Sequence, residues 1–198
     1  MVCPALRFAL RLHDYYDKDV PMDRPMTLSP RRILGVDPGL RITGYGVLEV
    51  APKRPIVCEA GIIRPGDEGA TDLASRVHSV YKGIVEVIEQ YRPEVVVVEQ
   101  LYAHYEHPRT AILMAHARGV IFLAAAEHGL PVVGYTPGRI KKTVTGHGRA
   151  AKDQVQRTIQ RELALAELPS PPDVGDALAI ALCHYYQQHW LIRENKSP

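Results

Sequence analysis

The 198-residue chain is poor in cysteine and has no long hydrophobic run. Its three cysteines (Cys3, Cys58 and Cys183) form no CxxC pair, which argues against a disulfide framework and against a zinc site. The longest apolar run, 119–126, is far shorter than the roughly 20 residues that a membrane-spanning helix needs. The sequence therefore predicts no transmembrane helix, and an N-terminus without a signal-peptide pattern favours a cytoplasmic location.

The chain also has little net charge, because 24 Lys and Arg residues balance 22 Asp and Glu residues. The charge is unevenly distributed. Residues 137–161 contain seven Lys or Arg residues, and Asp153 is the one acidic residue among them. A basic segment on an otherwise acidic protein favours a polyanionic partner, although such a segment can also be an ordinary solvated surface.

A regular hydrophobic pattern begins after residue 31 and predicts one domain over 32–190. Residues 1–31 contain four prolines and no sustained period, so they are interpreted as a disordered N-terminal extension, and 191–198 as a C-terminal tail. Three antiparallel strands followed by alternating strands and helices predict an α/β domain, with a mixed five-stranded sheet and helices on both faces. The strands are predicted at 33–36, 43–50, 56–64, 95–98 and 131–135, and the helices at 71–91, 110–128, 137–145, 152–166 and 173–189.

Three of these elements carry a carboxylate at one end. Asp37 ends the first strand, and Glu99 ends the valine-rich strand 95–98. Asp173 and Asp176 begin the last helix, where a separation of three residues places both on one face. Each position also has an ordinary structural explanation: a turn at Asp-Pro-Gly, a polar strand end and a helix N-cap.

The two most apolar strands, 33–36 and 95–98, are expected in the centre of the sheet, where their ends would share one edge if they run parallel. Carboxylates gathered there repel one another by about 4 kcal/mol for a pair about 4 Å apart, unless protons or cations neutralise them. Oxygen ligands suit Mg²⁺ or Mn²⁺, and two such ions support phosphodiester hydrolysis. The sequence thus favours a metal-dependent nuclease whose basic segment holds a polyanion.

Other candidate residues would contact the nucleic acid. Tyr102 follows Glu99 by three residues and could stack on an unpaired base, a contact worth roughly 1–3 kcal/mol, or it could be an ordinary packed or surface tyrosine. The basic segment contributes the remaining candidates, which are Lys141, Lys142, His147, Arg149 and Lys152.

Six blocks, in order along the chain, resemble the RuvC Holliday-junction resolvases. They are ILGVDPG with TGYG (33–46), VEQ (98–100), ARGV (117–120), KKTV (141–144), KxQV (152–155) and DVGDALAIA (173–181). The resemblance covers about residues 32–187 and implies an RNase H-like fold. It also implies a homodimer that nicks two opposed strands of a four-way DNA junction symmetrically in recombination and repair, and leaves ligatable 5′-phosphate ends.

By position, the resemblance also implies roles for single residues and for partners. The family's catalytic metal ligands, which would hold two Mg²⁺ or Mn²⁺ ions, fall on Asp37, Glu99, Asp173 and Asp176. Its base-wedging aromatic residue falls on Tyr102, and its phosphate-binding lysines fall on Lys141 and Lys152. The family works with the RuvA–RuvB branch-migration complex. For the dimer, helix 110–128 is the candidate, since its small residues allow close approach or core packing: Ala111, Ala115, Ala117 and Gly119.

Three other functions compete with this interpretation. An actin-like ATPase also places a phosphate loop after its first strand, but this chain is short for two such lobes and lacks a second glycine-rich phosphate loop. A related nuclease that acts on RNA is a second alternative. A junction-binding module without catalysis is the third, and it would not require all four carboxylates.

Overall fold

The structure is a computed structural model that describes residues 31–65, 72–101 and 108–194. Of the predicted N-terminal extension only Arg31 is among them, and Tyr102 lies outside the described residues. The described part of the chain forms five strands and five helices in the predicted order. The strands are β1 (Arg32–Asp37), β2 (Thr43–Glu49), β3 (Ile56–Ile63), β4 (Val95–Glu99) and β5 (Val132–Tyr135), and the helices are α1 (Leu73–Tyr91), α2 (Pro108–Glu127), α3 (Pro137–Thr145), α4 (Lys152–Glu162) and α5 (Pro172–Glu194).

The strands form one mixed sheet in the order β3-β2-β1-β4-β5. β2 pairs antiparallel with both β1 and β3, whereas β1, β4 and β5 run parallel to one another. Leu34, Val36, Val96 and Val98 contact the layer of α1 and α2, while Ile33 and Val97 contact the layer that contains α3, α4 and α5. The predicted mixed five-stranded sheet, with helices on both faces and the two most apolar strands side by side, is confirmed.

Two helices, α4 and α5, end several residues away from their predicted ends. α4 ends at Glu162 rather than near residue 166, because Ala164 takes a left-handed conformation (φ 50°) and Leu165 donates its amide to the carbonyl of Gln160 at 2.9 Å. Such a bond closes a helix even without a glycine. α5 continues to Glu194, since residues 190–194 contain no glycine or proline that would end it. The expected boundary between domain and tail at residue 190 therefore falls inside a helix.

Glycines on the sheet let the start of α5 approach closely. A Cβ on Gly44 would lie 2.2 Å from the backbone oxygen of Asp173, and a Cβ on Gly35 would lie 2.4 Å from that of Ala177. Both distances are too short for any residue with a side chain, so glycine is required at these crossings. The first turns of α5 consequently lie directly on β1 and β2, near the end of β1 that carries Asp37.

Helix α2 packs on α1 and leaves much of its apolar surface uncovered. Ala117 and Ile121 are buried, whereas Ile112 is 59% and Leu123 50% exposed. Its segment Arg109–Glu127, with a mean hydropathy of 1.3, is the one helix in the described ranges that could cross a membrane by length and composition. Core helices of globular proteins also meet this criterion of length and composition. The sequence prediction of no transmembrane helix used the length of unbroken apolar runs instead, and by that measure this helix is not a candidate.

Candidate active site

The parallel pairing of β1 and β4 brings two of the predicted carboxylates to one edge of the sheet. Val36 and Val98 are partners in the register, so Asp37 and Glu99 follow them at neighbouring positions. The glycine-lined contact with α5 brings Asp173 and Asp176 to the same edge. The four carboxylates come from three distant parts of the chain.

The electrostatics of Asp37 and Glu99 show that the carboxylates act on one another. Burial raises the pKa of Asp37 to about 7, and the charges of Glu99, Asp176 and Asp173 contribute in that order, while Lys152 opposes them. Burial and the charge of Asp176 raise the pKa of Glu99 to about 7, while Lys141 opposes them. Because both pKa values are raised, a cation that binds between these two carboxyls would be stabilised by their negative charges and would displace their protons.

Two predicted lysines lie beside these carboxylates. Lys152 donates to Asp176, with 2.8 Å between Nζ and Oδ2, and this hydrogen bond raises the pKa of the lysine. The side chain of Lys152 is still 61% exposed. Lys141 and Lys152 join the carboxylates around a cavity of about 300 Å³, which is lined by Asp37, Glu99, Pro137, Ile140, Lys141, Lys152, Val155, Asp176, Ala179 and Ile180.

The remaining predicted site residues take different positions. Asp173 is partly buried, and its charge raises the pKa of both Asp37 and Lys152. Its side chain does not line the cavity. The other basic candidates are exposed and also lie outside the cavity lining: Lys142, His147 and Arg149. Tyr102 lies outside the described residues.

A second cavity, of about 380 Å³, lies on the other face of the sheet between β3 and α1. Its charged residues are Arg64, Lys82 and Glu86. Although this cavity is larger, its described lining offers a cation only one carboxylate, that of Glu86. The carboxylate-lined cavity is therefore the candidate active site.

Two side chains that support the site were not among the sequence candidates. Arg118 on α2 donates from Nε to the carbonyl of Glu99 at 3.0 Å and so holds the end of β4. Gln156 on α4 donates from Nε2 to the carbonyl of Pro172 at 3.1 Å and so holds the start of α5. The sequence signal for Gln156 is its position on the buried side of the amphipathic helix α4, next to Val155, where a polar residue is unexpected.

The donor set fits a hard divalent cation. Its ligands would be carboxylate oxygens, which Mg²⁺ and Mn²⁺ prefer. Among the residues that the structure describes, no three His, Cys, Asp or Glu side chains already stand together as a ligand set, and the ammonium group of Lys152 lies against Asp176. The raised pKa values of Asp37 and Glu99 are the observation that favours a cation here, because a cation would replace the protons that these groups otherwise retain.

Comparisons with known proteins show the family to which the chain belongs. The family model described as crossover junction endodeoxyribonuclease RuvC matches residues 33–184. The RuvC of Rhodopirellula baltica is 47% identical over 154 residues, which cover 78% of this chain and 85% of that protein. The RuvC of Pelotomaculum thermopropionicum is 47% identical over 160 residues, which cover 80% of this chain and 94% of that protein.

Solved structures give the same relationship. The structure of Thermus thermophilus RuvC has a TM-score of 0.72 and 32% identity, and the match covers 80% of this chain and 96% of that one. T. thermophilus RuvC in complex with a Holliday junction substrate has a TM-score of 0.75 and 32% identity, with coverage of 81% and 96%. The yeast mitochondrial Holliday junction resolvase Ydc2, at 13% identity and a TM-score of 0.57, covering 85% of each chain, shares the fold.

Proposed function

The chain belongs to the RuvC family of crossover junction endodeoxyribonucleases, and we propose that it resolves four-way DNA junctions at the carboxylate cluster described above. The observation that carries this proposal is the meeting of Asp37, Glu99 and Asp176 in one cavity, with Asp173 adjoining it. The products would be paired nicks with 5′-phosphate ends, formed during recombination and repair.

We propose that Asp37, Glu99, Asp173 and Asp176 are the catalytic residues and hold two Mg²⁺ or Mn²⁺ ions. When bound, such ions activate the attacking water and stabilise the leaving oxygen of a phosphodiester. Asp37 and Glu99 end two paired central strands, which hold the backbone from which their side chains extend. Asp176 keeps Lys152 beside the cavity, where its ammonium group can also face a phosphate.

The basic residues would hold the DNA backbone around this cavity. Lys141 and Lys152 line it, so a phosphate that reaches the carboxylates lies next to both of them. The exposed residues on α3 and in the segment after it, which would extend the basic surface along the DNA, are Lys142, His147 and Arg149. Tyr102, by the family resemblance, would stack against an unpaired base at the centre of the junction.

Symmetric cleavage requires two copies of the active site, and we propose that the exposed face of α2 joins them in a homodimer. Ile112 and Leu123 are exposed, as are Ala115 and Gly119 between them. Ala117, another of the small residues of this helix, is buried in the domain and so cannot contribute to that face. An isologous contact along this helix would satisfy the two-fold symmetry of a dimer. From the family resemblance we also propose cooperation with RuvA–RuvB in the cytoplasm.

A cleavage assay distinguishes this function from its alternatives. Synthetic four-way junctions, linear duplexes and RNA–DNA hybrids are incubated with the protein, with and without Mn²⁺. We expect paired nicks in the four-way junction alone, and only with the cation. Preferential cleavage of the hybrid would favour a nuclease that acts on RNA, and binding to the junction without any cleavage would favour a binding module.

Asp176→Asn tests the cluster itself. The amide keeps the shape of the side chain but removes a charge that a cation would require, so we expect cleavage to fall by a factor of about 100 or more while junction binding is retained. Asp153→Asn is the matched control, because Asp153 is an exposed carboxylate in the first turn of α4. Cleavage by Asp176→Asn at the wild-type rate would remove Asp176 from the active site.

A further inference from the structure

One buried polar side chain adjoins the carboxylate cluster without belonging to it. Gln156 on α4 is 8% exposed, and its Nε2 donates to the carbonyl of Pro172, the first residue of α5, at 3.1 Å. This bond determines which way the amide points, because only Nε2 can donate to a carbonyl. Its Oε1 is buried and has no hydrogen-bond partner in the described part of the chain.

The same amide contacts the turn of α5 that carries the two aspartates. A Cβ on Gly175 would lie 2.2 Å from Oε1 and 2.3 Å from Nε2 of Gln156, so the amide occupies the space that a side chain at Gly175 would need. Gly175 lies between Asp173 and Asp176. Gln156 thus holds this turn twice, by a hydrogen bond at its first residue and by packing at its fourth.

Stability alone does not explain an amide at this position. The cost of its unpaired buried oxygen offsets the hydrogen bond that Nε2 donates to Pro172, so the amide adds little net stability. This turn also carries two negative charges, those of Asp173 and Asp176, which repel the carboxylate of Asp37 when it is ionised. The exposed ion pair between Lys152 and Asp176 holds this turn at the surface, and the hydrogen bond from Gln156 holds it in the interior.

We propose that Gln156 is a positioning residue for cation binding, which holds the first turn of α5 so that Asp173 and Asp176 stay in place opposite Asp37 and Glu99. The inference rests on the proposed function, because it assigns Gln156 to the metal ligands of that site. Groups that orient metal ligands without touching the metal commonly change the affinity of the site for the metal by about 10-fold or more.

Gln156→Met tests the proposal, because methionine keeps the length and burial of the side chain but removes the amide. We expect Mn²⁺ binding, measured on the DNA-free protein from the electron paramagnetic resonance signal of free Mn²⁺, to weaken about 10-fold. The Mn²⁺ concentration for half-maximal cleavage should rise in parallel, while junction affinity and melting temperature stay close to the wild-type values.

Thr158→Val is the matched control. Thr158 is equally buried on the same helix, but its hydroxyl donates to the carbonyl of Gln154 within α4, at 2.8 Å, rather than to α5. We expect this variant to bind Mn²⁺ as the wild type does. Equal loss of Mn²⁺ affinity in both variants would show a general effect of α4 packing and would overturn the proposal.

Gly175→Ala gives an independent test that does not depend on the folding of Gln156→Met. The added methyl group overlaps the amide, so Gly175→Ala should weaken Mn²⁺ binding, and Gln156→Ala should cost less in that background than in the wild type. Strictly additive effects, or Gln156→Met with wild-type Mn²⁺ affinity in a protein that cleaves junctions, would overturn this inference alone. A wild-type protein that neither binds Mn²⁺ nor cleaves would overturn the proposed function as well.

Discussion

The two longest helices, α2 and α5, are both rich in apolar residues but have opposite environments. Residues 177–183 of α5 are each at most 2% exposed, whereas α2 leaves Ile112 and Leu123 at least half exposed. α5 crosses strands whose glycines let its backbone approach, while α2 packs mainly on another helix. The surface that a helix faces, more than its own composition, therefore decided which one was buried. The buried helix carries two of the four carboxylates, Asp173 and Asp176, and the exposed one carries the apolar face that we propose as the dimer contact.

The largest effect is expected where α5 touches the sheet. The methyl group of Gly44→Ala would meet the backbone of Asp173, which cannot move as a side chain can, so we expect a loss of about 1–3 kcal/mol in the free energy of unfolding. Displacement of Asp173 should also reduce cleavage by about 100-fold. Urea unfolding and the junction assay measure the two effects.

Gly119→Ala on α2 is the opposite case, because no atom of the described residues of this chain lies within 4 Å of the added methyl group. Since alanine favours a helix over glycine, we expect stabilisation by about 0.5–1 kcal/mol in the same urea experiment. Equal stability changes at Gly44 and Gly119 would contradict the difference between the two helices.

The next effect concerns the uncovered face of α2. Leu123→Glu places a charge in the proposed dimer contact, so we expect the dissociation constant of the dimer to rise by about 30-fold, equivalent to about 2 kcal/mol. The fold of each subunit should be unaffected, because Leu123 is 50% exposed. Sedimentation equilibrium measures the change. Leu168→Glu is the control, since Leu168 is also 50% exposed but lies after α4; identical dimerisation of both variants would exclude α2 as the contact.

The last effect concerns the pH dependence of stability without divalent cations. Because the pKa of Asp37 is raised from 3.8 to about 7, the folded state holds a proton that the unfolded state releases, and stability falls as the pH rises through this window. Asp37→Asn removes that charge. We expect its melting temperature in EDTA to exceed that of the wild type by on the order of 5 °C at about pH 8, and to differ little at about pH 4. A difference that is the same at both pH values would contradict the raised pKa.

The central part of the fold and of the candidate site could be predicted from local signals. An unbroken valine run predicts a strand buried on both faces, and the carboxylate that ends it then has to lie at an edge of the sheet. Asp37 and Glu99 were predicted as site residues in this way, and their strands are neighbours as expected. The left-handed Ala164 that ends α4 could not be predicted, because alanine rarely adopts this conformation and its neighbours impose it.

By itself, the amino-acid sequence determined the order of the elements, the acidic residues at their ends and the family to which the chain belongs. Each of these depends on residues close together along the chain, or on blocks matched one at a time. Only the tertiary structure decided which apolar helix was buried, how strongly Asp37 and Glu99 resist ionisation, and that Gln156 contacts the turn between two aspartates. These properties depend on distances and desolvation between segments that are far apart in sequence, and such quantities exist only once the chain has packed.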